Sequence, residues 1–244
     1  ASSLVGSEMC IRDRSLFLGT SLQQAALQYT NIANAAFFTI FYVPIVPILL
    51  FFFYKIKVHW SIWPSIAMCI IGVYLLSNFS DSQIMLGDAL VILCSLFWAL
   101  HIIFAGKFMK KFDLPIFYAS LQSIFVFSLS IIAAYVFEEI DIQKILLEYS
   151  SILYAGILSG GVAFTLQMYA QKNIDEAPAA IIYSLEGVFA ALAGWIILNQ
   201  ILNLDNIIGC FLILFAVILS QIAPSAVKKA VSYTHLTLPT TGIV

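Results

Sequence analysis

An all-α, polytopic membrane bundle is the fold class that the sequence predicts, and three observations predict it. The first is composition. With 62% hydrophobic residues, 10% charged residues and a mean hydropathy of +1.00, the chain has too little polar side chain to coat a water-soluble globule of 244 residues. The second is pattern: the apolar runs are continuous and long enough to cross a hydrocarbon layer as helices, whereas the strands of a membrane β-barrel alternate apolar with polar positions. The third is an internal repeat. Ser21 to Phe37 (SLQQAALQYTNIANAAF) reappears without a gap as Thr165 to Ile181 (TLQMYAQKNIDEAPAAI), with identities at Leu22, Gln23, Ala26, Ala33, Ala35 and Ala36. Ser65 and Gly72 then fall opposite Gly209 and Ala216 at the same offset. One repeat length holds five hydrophobic segments, and an odd number of spans sends the second copy through the membrane in the opposite sense. Inverted repeats of this kind belong to secondary transporters.

In order, helical segments are predicted near 16–29 (truncated), 33–54, 59–77, 86–106, 114–137, 148–170, 177–198 and 205–223. Lysine sets their orientation, because short cytoplasmic loops are enriched in Lys and Arg. Lys55 and Lys57 follow the second segment, Lys107, Lys110 and Lys111 the fourth, Lys172 the sixth, and Lys228 and Lys229 the eighth. Lys144 alone falls on the other side, together with Asp81, Glu138, Glu139, Asp141 and Asp205. The pattern predicts a multi-pass protein of the cell inner membrane with its C-terminus cytoplasmic. It also sends the second segment inward and its repeat mate, the seventh, outward. Asn78-Phe79-Ser80 has the form of a glycosylation acceptor in a short loop close to lipid.

Both ends differ in composition from the interior. Residues 1–14 (ASSLVGSEMCIRDR) hold both arginines, and residues 231–244 (VSYTHLTLPTTGIV) are rich in Thr. Both resemble translated sequencing-adaptor DNA, so they are set aside as artefactual ends, together with Cys10 and His235. Residues 15–80 are then the remainder of a first repeat and 84–224 a second. The counterpart of residues 86–158 is absent from the first copy, so about 70 residues are expected upstream, and the eight segments are what remains of a ten-helix, five-plus-five inverted repeat. Such a fragment is expected not to transport by itself.

Inside the spans, Glu186 is the ionisable acid nearest the middle of a segment, where a charge costs about 2.5 to 3.5 kcal/mol on insertion scales. Ala179, Tyr183, Glu186, Ala190 and Ala193 share one face, and Leu185, Phe189, Leu192 and Ile196 the opposite one. The small, polar face is expected to point into the bundle. Glu186 then lines a pathway and carries a proton through a transport cycle; the alternative is a hydrogen-bonded carboxyl that locks helix packing. Gln167 shares a face with Ser159 and Ala163, and its mate Gln23 holds the matching place in the first copy. Two amides can grip a polar solute from both halves, or bond between helices. Cys94, Ser95, Trp98 and His101 share a broad face, where Trp98 can stack on a solute. His101 can donate to one or bond a neighbouring helix. Pro44 and Pro47 are expected to kink the second segment. The spacings Gly156/Gly160 and Ala190/Gly194 read as helix contact surfaces, Asp88 as a helix cap, and Cys69, Cys94 and Cys210 as small packing residues without disulfides. No Gly-rich phosphate loop, nucleophile elbow or HExxH is present, so no cofactor and no metal site is expected, and the small net charge suggests no nucleic-acid partner.

The runs LQYTNIANAAFFTIFYVPIVPILL, GDALVILCSLFWALHIIFAGK, LSGGVAFTLQMYAQ and SLEGVFAALAGWIILNQ resemble the EamA-type branch of the drug/metabolite transporter superfamily over residues 15–223. The resemblance implies ten helices in two inverted five-helix repeats, a cavity between the halves, cytoplasmic termini, and movement of small metabolites such as amino acids, usually outward. Glu186 matches the acid of the family's SLEP motif, Trp98 its FWA motif, and Gln167 the glutamine late in its eighth helix. Here SLEP reads Ser184-Leu185-Glu186-Gly187, so its proline is missing. The expectation is a permease exporting a small polar solute by rocking of the two halves, with protons as coupling ion, membrane lipids around it and a homodimer as one assembly it admits. The competing classes are a membrane enzyme acting on a lipid or isoprenoid, which needs clustered acids or histidines at the membrane boundary, and a non-transporting subunit.

Overall fold

The computed structural model of the chain describes residues 2–77, 86–199 and 201–236, all of them in helices or the short turns between helices. The helices are α1 (Ser2–Ala26), α2 (Ile32–Thr39), α3 (Tyr42–Tyr54), α4 (Ile62–Ser77), α5 (Leu86–Lys111), α6 (Pro115–Phe137), α7 (Ile142–Leu147), α8 (Tyr149–Tyr154), α9 (Phe164–Gln171), α10 (Glu176–Tyr183), α11 (Leu185–Leu198) and α12 (Leu204–Leu236). A π-helical stretch, Ala155–Ala163, joins α8 to α9. Among the described residues six stretches are long and apolar enough to cross a membrane: Asn34–Tyr54, Leu86–Lys111, Pro115–Phe137, Tyr149–Gln171, Glu176–Ile197 and Leu204–Ile222. Ile62–Ser77 is a shorter apolar helix. The predicted Asn78-Phe79-Ser80 acceptor and Asp81 lie outside the described residues, as do residues 237–244 of the C-terminal end.

The first helix starts at Ser2, so residues 9–14 continue into the helix predicted from residue 16. Arg12 is fully buried and ion-pairs with Asp13 at 2.6 Å.

The duplication extends to the backbone. Thr165 opposite Ser21 sets an offset of 144 residues, and three landmarks recur at that spacing. Asn31 and Asp175, extended at φ/ψ of -77/151 and -68/152, precede α2 and α10. Ile40 (-59/-13) and Ser184 (-61/-13) interrupt the two composite spans. Lys55 and Asn199, the non-glycine residues with positive φ among those described (56° and 52°), end α3 and α11, and their N–H groups donate to the carbonyls of Leu50 and Gly194, again mates. A left-handed residue just past a helix satisfies carbonyls that would otherwise lack a donor.

In the first copy the interruption falls four residues before Pro44, at the carbonyl that a proline leaves without its helical donor. Pro47 lies inside a continuous α3, and the span breaks upstream of Pro44. Proline at 44 has no N–H to give the Ile40 carbonyl, which instead accepts from Val43 N at 2.9 Å. In the second copy Gly187 N donates to Ser184 O at 3.2 Å, the same tightened turn without a proline.

The repeat mates α4 and α12 pack face to face. A Cβ at Gly72 would lie 2.8 Å from Gly209 O and 2.7 Å from Ile213, and one at Gly209 2.6 Å from Gly72 O and 3.2 Å from Leu75 and Leu76. Asn206 Nδ2 donates to the carbonyls of Leu75 and Leu76 at 3.2 and 3.3 Å. Numbers rise along α4 as they fall along α12, so the mates run antiparallel. Val43, Val46, Leu50, Ile66, Cys69, Ile102, Ala180, Ile181 and Ile213 form the core between α3, α4, α5, α10 and α12.

Both ends of α5 are pinned. At its start Asp88, 2% exposed, accepts from Thr30 Oγ1 and from Asn34 Nδ2 at 3.1 and 3.0 Å. Asp88, expected as a cap, is a cross-helix acceptor, held by Thr30 in the loop before α2 and by Asn34 in α2. At its far end Lys110 pairs with Asp175 at 2.9 Å and Glu176 at 3.2 Å, and Lys172 with Asp113 at 2.6 Å. Those loops are repeat mates, 27–31 and 171–175. By contrast, a Cβ at Gly156 or Gly160 would meet no other helix among the described residues, so the predicted contact surface is not made there.

Candidate functional site

A cavity of about 780 Å³ opens beside the two interruptions. From the first copy it is lined by Gln23 of α1, Thr39 at the end of α2 and Tyr42 at the start of α3. From the second it is lined by Gln167 of α9, Tyr183 at the end of α10 and Glu186 in the first turn of α11. At the offset of 144 these are three pairs of mates: Gln23 with Gln167, Thr39 with Tyr183, and Tyr42 with Glu186. Trp98, Phe164 and Ser159 also line it, with Phe164 stacked on Trp98 at 6.3 Å between ring centres and 7° between planes.

The structure therefore brings five of the predicted residues, Gln23, Trp98, Gln167, Tyr183 and Glu186, to one cavity. His101 stands behind the wall, fully buried. Its Nδ1 is 3.4 Å from the Arg12 carbonyl and its Nε2 3.4 Å from Gln167 Nε2. Those distances fit a neutral ring that donates from Nδ1 and accepts the amide N–H at Nε2. His101 thus holds the Gln167 amide in place. Pro44 and Pro47 do not line the cavity.

The expected inward stripe is partly formed. Ala179 is buried, but Ala193 is exposed, and Phe189 from the face expected to be apolar lines the cavity instead. The reason is the break at Ser184, which interrupts the regular 3.6-residue phase on which the stripe rests. Thr39, Tyr42, Phe164 and Phe189 were not singled out by the sequence. The repeat carried a signal for two of them, because they are the mates of Tyr183 and Glu186.

Chemically the wall offers two carboxamides, a carboxyl, two phenols and a stacked aromatic pair. The Tyr42 and Tyr183 hydroxyls are buried without a protein partner, and a buried hydroxyl without one costs about 1 to 3 kcal/mol. A polar solute or water entering the cavity would satisfy both. Among the described lining residues Glu186 supplies the carboxylate, and neither lysine nor arginine is present.

Comparison with known proteins agrees with this architecture. The EamA-like transporter family matches residues 85–221. A protein of Archaeoglobus fulgidus described as an uncharacterized transporter is 33% identical over 204 residues, covering 83% of this chain; the chain spans 65% of that relative's length. One crystal structure superposes with a TM-score of 0.74 over 88% of this chain and 75% of its own, at 15% identity, a likeness of fold.

Proposed function

The chain is a member of the EamA-like transporter family, a multi-pass membrane transporter of the drug/metabolite kind, and on that premise we propose that it exports small polar metabolites such as amino acids by alternating access. The observation that carries this reading is one cavity walled by three pairs of repeat mates. A solute held there touches both copies at once. Antiparallel packing of α4 against α12 supports an inverted pair of five-helix units, in which rocking of one half against the other exposes a fixed mid-depth site to each side in turn. The lysine-bearing end, with Lys110 and Lys172, faces the cytoplasm by the positive-inside rule. Glu186 is the coupling group, carrying a proton in one half of the cycle. Family and relative point to a transporter rather than an enzyme.

The test is counterflow of a panel of labelled amino acids and related metabolites in vesicles holding the full-length protein. Glu186→Gln at matched membrane levels keeps shape and hydrogen-bonding capacity but removes the titrating group. The expected result is a solute whose flux depends on the protein and falls at least about tenfold in the variant, the loss expected of a group needed at the rate-limiting state. Unchanged flux in Glu186→Gln removes Glu186 from the mechanism.

A further inference from the structure

A second cavity, about 610 Å³, adjoins the first. It extends to Ile32 at the start of α2 and Ser77 at the end of α4, which is the end of the bundle where Thr30 and Asn34 reach Asp88. The first cavity extends instead to Ala170 in the last turn of α9, beside the opposite, lysine-bearing end. Three residues line both: Gln23, Thr39 and Glu186. They lie between two cavities that reach towards opposite ends of the bundle.

Two of them sit at the helix interruptions. Thr39 is the last residue of α2 before the break at Ile40, and Glu186 lies two residues after the break at Ser184. Gln23 Nε2 donates to Thr39 Oγ1 at 3.3 Å, and that hydroxyl in turn donates to the Ala35 carbonyl at 2.7 Å. Thr39 is 7% exposed, so its hydroxyl is fixed in direction, while Gln23 is half-buried and hinges on flexible torsions. A hydrogen bond between such partners can be made and broken without unfolding a helix, and the tightened turns beside it give the helix ends room to swing.

We propose that Gln23, Thr39 and Glu186 form the septum between an outer and an inner chamber, and that the Gln23–Thr39 hydrogen bond is the latch that opens for solute to cross. This deepens the transport reading and rests on it for the direction of traffic, while the latch itself can be tested without any solute. Thr39 acquires a role as a positioning residue, holding the Gln23 amide across the passage.

The experiment is thiol accessibility in vesicles of defined orientation holding the full-length protein. Ser159→Cys reports the first chamber and Ala191→Cys the second, with Ala163→Cys and Ala190→Cys as replacements where either fails to accumulate. A membrane-impermeant thiol reagent is applied to one face at a time, and the rate of the chain without added cysteine is subtracted. With the latch intact, each cysteine reacts faster from its own face. Thr39→Val, which keeps the side-chain shape and removes the hydroxyl, is expected to raise the wrong-face rate roughly threefold, the population change set by losing one such bond in a membrane. Gln23→Ala, which also removes bulk, should raise it further, and Thr39→Ser should restore the parent ratio. Equal rates from both faces in the parent, or unchanged ratios in Thr39→Val and Gln23→Ala, would overturn the septum. Absence of flux in the parent would overturn the transport reading alone, because these rates do not depend on solute.

Discussion

Asp88 shows how much one side chain carries in this fold. Its carboxylate, 2% exposed, gathers Thr30 and Asn34 from the preceding loop and helix, and Asp88→Ala leaves both donors without that acceptor. Destabilisation of about 2 kcal/mol is expected, and more where a charged acceptor is lost; thermal unfolding in detergent measures it, and Asp88→Asn should cost less. His101 acts differently, through Gln167. With the amide no longer held at 3.4 Å, His101→Ala should weaken apparent solute affinity about fivefold, the value of about one hydrogen bond, while the maximal rate is kept. A fall in maximal rate at unchanged affinity would contradict a positioning role. Glu186 stood out in the sequence because an acid amid apolar residues is costly. Tyr42 and Thr39 did not, because a tyrosine or threonine in a membrane helix is ordinary, and only the offset of 144 connects them to Glu186 and Tyr183.

Elements were legible where hydrophobic length defines them. The predicted segments 33–54, 86–106, 114–137, 148–170, 177–198 and 205–223 meet the observed spans Asn34–Tyr54, Leu86–Lys111, Pro115–Phe137, Tyr149–Gln171, Glu176–Ile197 and Leu204–Ile222 within a few residues. The interruption at Ile40 was legible in part through Pro44, four residues on; that at Ser184 was not, since a shift from one hydrogen-bonding turn to a tighter one changes neither composition nor length. The second copy makes the turn without the SLEP proline, so proline is not its necessary cause. Glycines make the opposite point. Gly156/Gly160 has the familiar spacing, yet a Cβ there would meet no other helix among the described residues, whereas Gly72 and Gly209, far apart in sequence, let α4 and α12 touch. Gly209→Ala should therefore destabilise by about 1 to 3 kcal/mol through overpacking, and Gly156→Ala by no more than about 0.5 kcal/mol, as at an open surface. Unfolding midpoints of the two variants, measured side by side, separate them.

At the scale of the whole molecule, two copies of one unit are joined so that α4 and α12 run antiparallel and the interrupted spans meet at a common cavity. The repeat brings polar groups there in pairs: Gln23 with an identical mate in Gln167, and two unlike pairs, Thr39 with Tyr183 and Tyr42 with Glu186. A one-copy site would leave the first copy a scaffold. The proposed shared site needs both amides. The direct measurement is flux of one solute through the full-length protein carrying Gln23→Leu, Gln167→Leu, or both, at equal membrane levels. The shared cavity predicts that each single substitution lowers flux about tenfold, as expected when a buried polar contact to solute is lost, and that the pair together loses less than the product of the two, as for residues gripping one ligand. Normal flux with either single substitution would contradict it.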